Sequence, residues 1–172
     1  EKGCQSSILK ETKVFDTPII DFTIDQFCLG TPTYFTNFST LNNGNIIKWK
    51  WDFGDSSESI NLKNPNHVFT KEGIYTVNLL ATTEFNCTSM LDKKITILNL
   101  PIVSFSNDSI ACVGDEIRFT DRSIGTSNNL ISWEWTIGDS TEFTTQNPIH
   151  QFKYAQKFDV NLSVTSSEGC LN

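Results

Sequence analysis

Short runs of alternating apolar and polar residues, separated by turn residues, make up most of the chain. Side chains of a β-strand point alternately to the two faces of a sheet, so such runs predict strands with one face toward a core. In residues 46–53, Trp49, Trp51 and Phe53 share one face, opposite two lysines and an aspartate. No long stretch has the 3.6-residue period of an amphipathic helix. The pattern therefore predicts an all-β fold.

Six strands are predicted in the first half of the chain. They are Ile19–Thr23, Thr33–Asn37, Ile46–Phe53, His67–Phe69, Ile74–Thr82 and Lys94–Leu98. Many short strands with frequent turn signals are typical of a sandwich or a barrel. The second half repeats this pattern, and the same fold is expected there.

The whole sequence pattern recurs after about 83 residues. Matching segments are 18–22 and 101–105, 35–39 and 119–123, 49–55 and 133–139, 64–69 and 147–152, and 77–79 and 160–162. Self-similarity at a fixed period indicates tandem modules. We predict the tail or last strand of a preceding repeat in residues 1–16, a complete sandwich in 17–99, and a sandwich without its final strand in 100–172. The protein is then expected to continue in both directions.

The net charge of −7 disfavours two classes of partner. Nucleic acids and anionic membranes both attract basic patches, so neither is expected to bind this acidic chain. No apolar run approaches the ~20 residues that span a bilayer, and the first residues do not resemble a signal peptide. We expect no direct insertion into a membrane.

Three motifs in a fixed order resemble the polycystic kidney disease (PKD) domain. They are WDFGD at 51–55, NPxHxF at 64–69 and GxYxVxL at 73–79. The resemblance covers nearly the whole chain and implies an immunoglobulin-like β-sandwich in an extracellular protein. The second copy departs from the motifs, with Thr136 and Ile137 in place of Asp-Phe and Gln156 in place of Gly73. These changes affect a function that needs the first Asp, but not the fold.

The cysteine-bearing repeat is also similar to repeats in large cell-surface gliding-motility adhesins of Bacteroidota. That resemblance implies non-catalytic spacer repeats of an adhesin stalk, secreted by the type IX system to the cell surface. The expected partners are neighbouring repeats of the chain, and surface polysaccharide or other adhesion proteins. The alternative is a carbohydrate- or protein-binding module accessory to a secreted polysaccharide hydrolase or protease. No enzyme is expected, because no nucleophile–base set or phosphate-binding loop recurs.

Five cysteines occupy equivalent places in the repeats. Cys28 and Cys112 match each other, and Cys4, Cys87 and Cys170 are spaced 83 residues apart. Equivalent placement favours one disulfide within each repeat, Cys28–Cys87 and Cys112–Cys170, with Cys4 bonded to the preceding repeat. Each loop of ~60 residues would contribute roughly 4 kcal/mol in the chain-entropy model, and disulfides indicate an oxidising compartment. Free thiols or metal ligands are the alternatives, but the close Cys/His spacing of zinc sites is absent.

Acidic residues after the tryptophan strands are candidate calcium ligands. Asp52, Asp55 and Glu58 cluster in the first copy, whereas the second copy offers Asp139 and Glu142 without an equivalent of Asp52. Calcium needs several oxygen ligands, and a solvated acidic loop is the simpler interpretation. No other cofactor is expected.

Four further features have a functional and a structural interpretation. Trp49 and Trp133 are candidates for stacking on sugar rings, although their i, i+2 spacing from Trp51 and Trp135 favours core packing. Ser109 and Ser140 lie in Asp-Ser pairs that resemble the O-glycan acceptor of Bacteroidota. The histidines at positions 67 and 150 are interpreted as pinning the Asn-Pro turns rather than as catalytic bases.

Overall fold

The computed structural model describes residues 6–107, 110–125 and 129–172. Across these ranges the chain forms β-strands and turns, and no helix. The strands are β1 (Phe22–Asp25), β2 (Pro32–Asn37), β3 (Ile46–Asp52), β4 (Asn66–Val68), β5 (Gly73–Thr83), β6 (Thr88–Ile97), β7 (Phe105–Ser106), β8 (Glu116–Arg118), β9 (Thr120–Asp121), β10 (Leu130–Ile137), β11 (Thr141–Phe143), β12 (Ile149–Gln151) and β13 (Val160–Ser166). A helix long and apolar enough to cross a membrane is not found in these residues.

The strands form an immunoglobulin-like sandwich fold, with two sheets in the first repeat and three shorter ones in the described residues of the second. In the first repeat the strand orders are β1-β2-β4 and β3-β5-β6. In the second they are β7-β9 with β8-β12, and β11-β10-β13. The register matches between copies, since Trp51 pairs with Leu79 and Trp135 with Leu162. The predicted all-β fold class is confirmed.

Strand β6 is the largest departure from the predicted elements. It begins at Thr88, whereas the sequence pattern predicted Lys94 as its start. The first part of this strand is hard to recognise in the sequence because the inward position Lys93 is charged. Its ammonium group donates to the carbonyl oxygen of Phe22 at 2.6 Å and approaches Asp21 at 3.3 Å. The long aliphatic stem allows a charged residue at this position.

Residue contacts divide the chain into two compact units that do not follow the repeat frame. One contains the described residues of Glu1–Ile24, with Tyr34–Pro65 and Thr76–Lys94. The other contains Asp25–Thr33, Asn66–Tyr75 and the described residues of Ile95–Asn172. The repeat boundaries given above stay a prediction.

The core of the first unit is aromatic. Trp51 is fully buried, with ring centroids 5.0 Å from Phe22 and 5.4 Å from Phe35. Phe53 stacks in the same cluster, and β5 contributes buried aliphatic residues opposite. After Phe53 the chain turns at Gly54, whose φ is +75° and where a Cβ atom would lie 2.5 Å from the Thr76 carbonyl oxygen. Only glycine fits this turn without strain.

The core of the second unit repeats this arrangement. Trp135 is fully buried, with its ring 5.1 Å from Phe105 and 5.7 Å from Phe119. The remaining buried members are Ile117, Ile137, Leu162 and Val164. Each central tryptophan donates its indole N–H to a backbone carbonyl, that of Leu62 at 2.9 Å in one copy and that of Thr145 at 3.1 Å in the other. Burial of the aromatic strand face is thus the same in both repeats.

Candidate functional site: the cysteine loops

Cys28 lies in a loop held by backbone hydrogen bonds on both sides. The amide of Leu29 donates to the Leu98 carbonyl at 2.7 Å, and the amide of Leu98 donates to the Phe27 carbonyl at 2.8 Å. The chain then turns through Gly30, whose amide donates to the Phe69 carbonyl at 3.3 Å. These contacts fix Cys28 beside Leu98, immediately after the end of β6.

Cys170 lies in the turn that follows β13 and is fully buried. Its carbonyl accepts from the Ser166 amide at 2.9 Å, and its amide donates to the Ser166 hydroxyl at 3.2 Å. Cys170 forms a disulfide with Cys28, with a Cα–Cα distance of 5.5 Å, across 142 residues of sequence. The bond therefore connects the first copy of the repeat to the second.

This pairing differs from the disulfides predicted within each repeat. In the first repeat, Cys87 is the residue immediately before β6. Leu98 is the residue immediately after β6, and it forms a backbone bridge with Cys28. A ten-residue strand separates the two positions by about 33 Å. A disulfide requires Cα atoms within about 7 Å of each other, so Cys28 and Cys87 are too far apart.

The same distance argument applies to the second repeat. Cys112 belongs to the loop whose Gly114 amide donates to the Phe152 carbonyl, and Phe152 stacks on Phe158 just before the start of β13. Cys170 follows the opposite end of this seven-residue strand. The predicted Cys112–Cys170 pairing is replaced because its cysteines occupy opposite ends of one sandwich. Cys87 is a partly buried free thiol and Cys112 an exposed one, and Cys4 lies outside the described residues.

A polar cluster around Asp121 was missed at the level of sequence. One oxygen of Asp121, Oδ2, accepts from the indole N–H of Trp133 at 2.7 Å and from the amide group of Gln146 at 3.0 Å. The other, Oδ1, accepts from the backbone amide of Ser123 at 2.8 Å. Burial alone would raise the pKa of Asp121, but the hydrogen bonds from Ser123, Gln146 and Trp133 together lower it below its ordinary value.

We expect Asp121→Asn to destabilise the second repeat by about 1–2 kcal/mol at pH 7. The reason is that the partly buried indole N–H of Trp133 loses its carboxylate acceptor. A lowered folded-state pKa means that the carboxylate stabilises the fold above the unfolded-state pKa of about 3.9, and that this contribution is lost as the pH falls through the folded-state pKa. The stabilities of the wild type and the Asp121→Asn variant should therefore converge below about pH 4. Urea unfolding followed by circular dichroism across pH 2–7 measures this.

The first repeat offers the matched reverse variant. Asn37 is the equivalent of Asp121, and its Oδ1 accepts from Ser39 in the same way. Among the described residues, its Nδ2 group and the indole nitrogen of Trp49 are buried without hydrogen-bond partners. Asn37→Asp replaces that donor with an acceptor and should stabilise the first repeat at pH 7. A destabilised Asn37→Asp variant would contradict the role of acceptor for the neighbouring indole N–H that we assign to the carboxylate at this position of the repeat.

The candidate calcium ligands are engaged in local turns. Asp52 accepts from the amide of Gly54 at 2.9 Å, and Asp55 accepts from that of Ser57 at 3.1 Å. Within residues 6–107, 110–125 and 129–172, no three His, Cys, Asp or Glu side chains come together as a metal site. Calcium binding by Asp52, Asp55, Glu58 or Asp139 stays a prediction.

Asp139 instead belongs to a pair with a histidine. Its Oδ2 lies 2.7 Å from Nε2 of His150, and its Oδ1 accepts from the Thr141 amide at 3.2 Å. The bond from Thr141 lowers the pKa of Asp139 most, burial opposes this, and His150 lowers it further. The His150 ring also packs edge-on against Phe152 at 4.7 Å. His150 thus holds the Asp139 turn, whereas the sequence interpretation assigned it to the Asn-Pro turn.

The outer tryptophans are partly exposed. Lys63 places its ammonium group 5.9 Å from the Trp49 ring, and both residues line a surface cavity of about 580 Å³. The indole N–H of Trp133 is occupied by Asp121. Sugar stacking by either ring stays a prediction. Ser140 lies exposed in a turn at φ +72°, and Ser109 lies outside the described residues. O-glycosylation at these serines stays a prediction.

Comparison with known proteins gives matches over both repeats. The sequence profile of the PKD domain matches residues 16–97 and 99–172. Collagenase ColA of Bacillus cereus is 25% identical over 126 residues, which cover 73% of this chain and 11% of the collagenase. The PKD1 domain of Vibrio anguillarum Epp is 23% identical with a TM-score of 0.44, over 47% of this chain and 93% of that domain. The PKD1 domain of the Vibrio cholerae metalloprotease PrtV is 21% identical with a TM-score of 0.41, over 49% and 98%.

Proposed function

Because the chain belongs to the PKD domain family, we propose that its repeats are non-catalytic spacers in a long secreted or cell-surface protein. The observation that carries this proposal is the Cys28–Cys170 disulfide. It joins one repeat to the next, so it limits how far tension can extend the chain. A disulfide also requires an oxidising compartment, which supports an extracytoplasmic location.

The more specific form of this proposal is the stalk of an adhesin. The equivalent cysteines in the repeats support it, since they resemble those in repeats of the Bacteroidota gliding-motility adhesins exported by type IX secretion. In that role the partners are neighbouring repeats of the same chain, and surface polysaccharide or other adhesion proteins at the end of the stalk. The acidic surface disfavours nucleic acid as a partner.

Small-angle X-ray scattering of the oxidised chain tests the spacer function. We expect an elongated particle whose pair-distance distribution has a long tail, because tandem sandwiches with a short linker form a semi-rigid rod. The Cys28→Ser variant is the matched control and should show a broader range of dimensions. A compact, nearly spherical particle in both samples would rule out a spacer.

A second candidate function is a binding module accessory to a secreted hydrolase or protease. The partly exposed Trp49 beside Lys63 favours it, since an aromatic face with a neighbouring cation suits an acidic or neutral sugar. The similarity to a collagenase points in the same direction. A glycan array probed with the wild-type chain and with Trp49→Ala and Trp133→Ala separates the functions. Binding that is lost in either variant supports the module, and no binding to any glycan favours the spacer.

A further inference from the structure

We propose that Cys87 and Cys112 are each one half of a disulfide to a further copy of this repeat. In the repeat frame, Cys28 and Cys112 occupy one position (the Cys28 type), and Cys87 and Cys170 occupy another (the Cys170 type). The rule would be that a cysteine of the Cys28 type pairs with the Cys170-type cysteine of the next repeat. Cys28–Cys170 is one instance of this rule. The inference rests on the proposed function only in requiring that repeats follow one another in an array.

The loop around Cys112 repeats the loop around Cys28. The carbonyl of Cys112 accepts from the Asp115 amide at 3.1 Å, as that of Cys28 accepts from the Thr31 amide at 3.2 Å. Gly114 has a φ of +88° and Gly30 a φ of +75°. The amide of Gly30 donates to the carbonyl of Phe69, just after β4, and that of Gly114 donates to the carbonyl of Phe152, just after β12. The free thiol is therefore held by the same backbone conformation as the bonded one.

The turn around Cys87 repeats the turn around Cys170. The carbonyl of Cys87 accepts from the Thr83 amide at 2.9 Å, and its amide donates to the Thr83 hydroxyl at 3.1 Å. Ser166 makes the same two bonds with Cys170, at 2.9 and 3.2 Å. The residue before each cysteine has a positive φ, +60° at Asn86 and +83° at Gly169. These turns are preformed whether or not the sulfur is bonded.

The surroundings of Cys87 indicate which cysteine it would meet. Its sulfur lies 3.9 Å from the carbonyl oxygen of Phe15, whose ring stacks on Phe85 at 3.8 Å. In the repeat frame, Phe15 is the equivalent of Leu98, the residue that forms a backbone bridge with Cys28. Cys87 therefore lies beside the segment that, one repeat later, holds the Cys28 loop. A Cys28-type loop from a neighbouring repeat, placed against Phe15 as the Cys28 loop is placed against Leu98, would bring a second cysteine to Cys87 for a disulfide.

The bond forms by oxidation of two thiols. They lose two protons and two electrons to a disulfide oxidant, such as oxidised glutathione, which leaves as two thiol molecules. The attacking group is a thiolate, which displaces glutathione from a mixed disulfide on the other cysteine.

The test uses the whole chain with residues 17–99 duplicated, so that residues 1–99 are followed by residues 17–172. Cys4→Ser is included throughout. The adjacent-repeat variant carries Cys87→Ser in the first copy and Cys28→Ser in the second. Its remaining Cys28 and Cys87 then lie in successive copies. After refolding with reduced and oxidised glutathione, peptide mass spectrometry should find these two residues joined.

The matched same-repeat variant carries both serine substitutions in the first copy, so that Cys28 and Cys87 remain together in the second. There we expect Cys28 to pair with Cys170, and Cys87 to react with iodoacetamide. Both variants lose the same cysteine types, and circular dichroism checks that both are folded. A Cys28–Cys87 bond in the same-repeat variant overturns the proposal, and so does a folded adjacent-repeat variant in which Cys28 of the first copy and Cys87 of the second remain free thiols. The bond map does not depend on particle shape, so its failure is distinct from failure of the scattering experiment.

Discussion

When the oxidised chain is pulled from its two ends, we expect the part between Cys28 and Cys170, which is most of the chain, to resist extension. The Cys28–Cys170 bond carries the force past the segment between its cysteines, a sequence separation of 142, and that segment cannot lengthen even if it unfolds. Reduction should release that segment and add about 500 Å of contour length, since an extended residue spans about 3.5 Å. Single-molecule force spectroscopy with and without dithiothreitol measures the difference.

Two variants serve as controls for the force measurement. Cys28→Ser should release the full length without any reductant, whereas Cys87→Ser should leave the oxidised chain as short as the wild type. Disulfides within the repeats would give another result, because the residues between Cys87 and Cys112 would extend under oxidising conditions. A long oxidised chain would therefore contradict the pairing in the structure.

The consequence for stability is separate from the consequence for extension. In the chain-entropy model, closing a loop of this length stabilises the folded chain by about 5 kcal/mol relative to its fully unfolded state. This exceeds the roughly 4 kcal/mol expected for each of the ~60-residue loops predicted from sequence. One bond across a junction also acts on both of the repeats it connects, whereas a bond within a repeat acts on one.

The cysteine pairing shows why the sequence predicted the fold better than the site. Alternation with large aromatic residues identified β3 and β10, because Trp51 and Trp135 mark the inward face in each copy. The same rule failed for the first part of β6, where Lys93 occupies an inward position. With β6 predicted to begin at Lys94, the distance from Cys87 to Cys28 could not be judged. A strand predicted to begin at Thr88 would have placed Cys87 and Leu98 at opposite ends of about 33 Å, too far apart for a Cys28–Cys87 disulfide.

The Asp121 cluster was unpredictable for a different reason. Its members lie on separate strands and loops, and only the fold brings Trp133 and Gln146 to the same carboxylate. The alignment of the copies did place Asp121 opposite Asn37, a change from acceptor to donor. The consequence of this difference depends on the indole N–H beside each side chain. Asp121 accepts from that of Trp133, whereas that of Trp49 in the first repeat has no partner. The substitution between the repeats therefore marks the position, and the contacts made in the fold give it its role.

Replacing Trp51 with alanine should have the largest effect on stability of any single substitution at a tryptophan in the first repeat. The side chain is fully buried among Phe22, Phe35 and Phe53, and its indole N–H donates to the Leu62 carbonyl. A large-to-small change at such a position costs about 3–5 kcal/mol. Domains of this size have about 5–15 kcal/mol of stability in total, so the first repeat should become largely unfolded at moderate temperature. Amide hydrogen exchange resolved by repeat measures the loss of protection.

Trp49→Ala is the matched control, because it removes the same side chain from the same strand and the same face. Trp49 is only partly buried and already has an unpaired indole N–H, so we expect a loss of about 1–2 kcal/mol. Trp135→Ala should move the loss of protection to the second repeat, since Trp135 occupies the equivalent position between Phe105 and Phe119. Equal effects of Trp49→Ala and Trp51→Ala would show that the core is not centred where the structure places it. If exchange rises in both repeats when only Trp51 is replaced, the two copies unfold cooperatively, as a disulfide shared between them would favour.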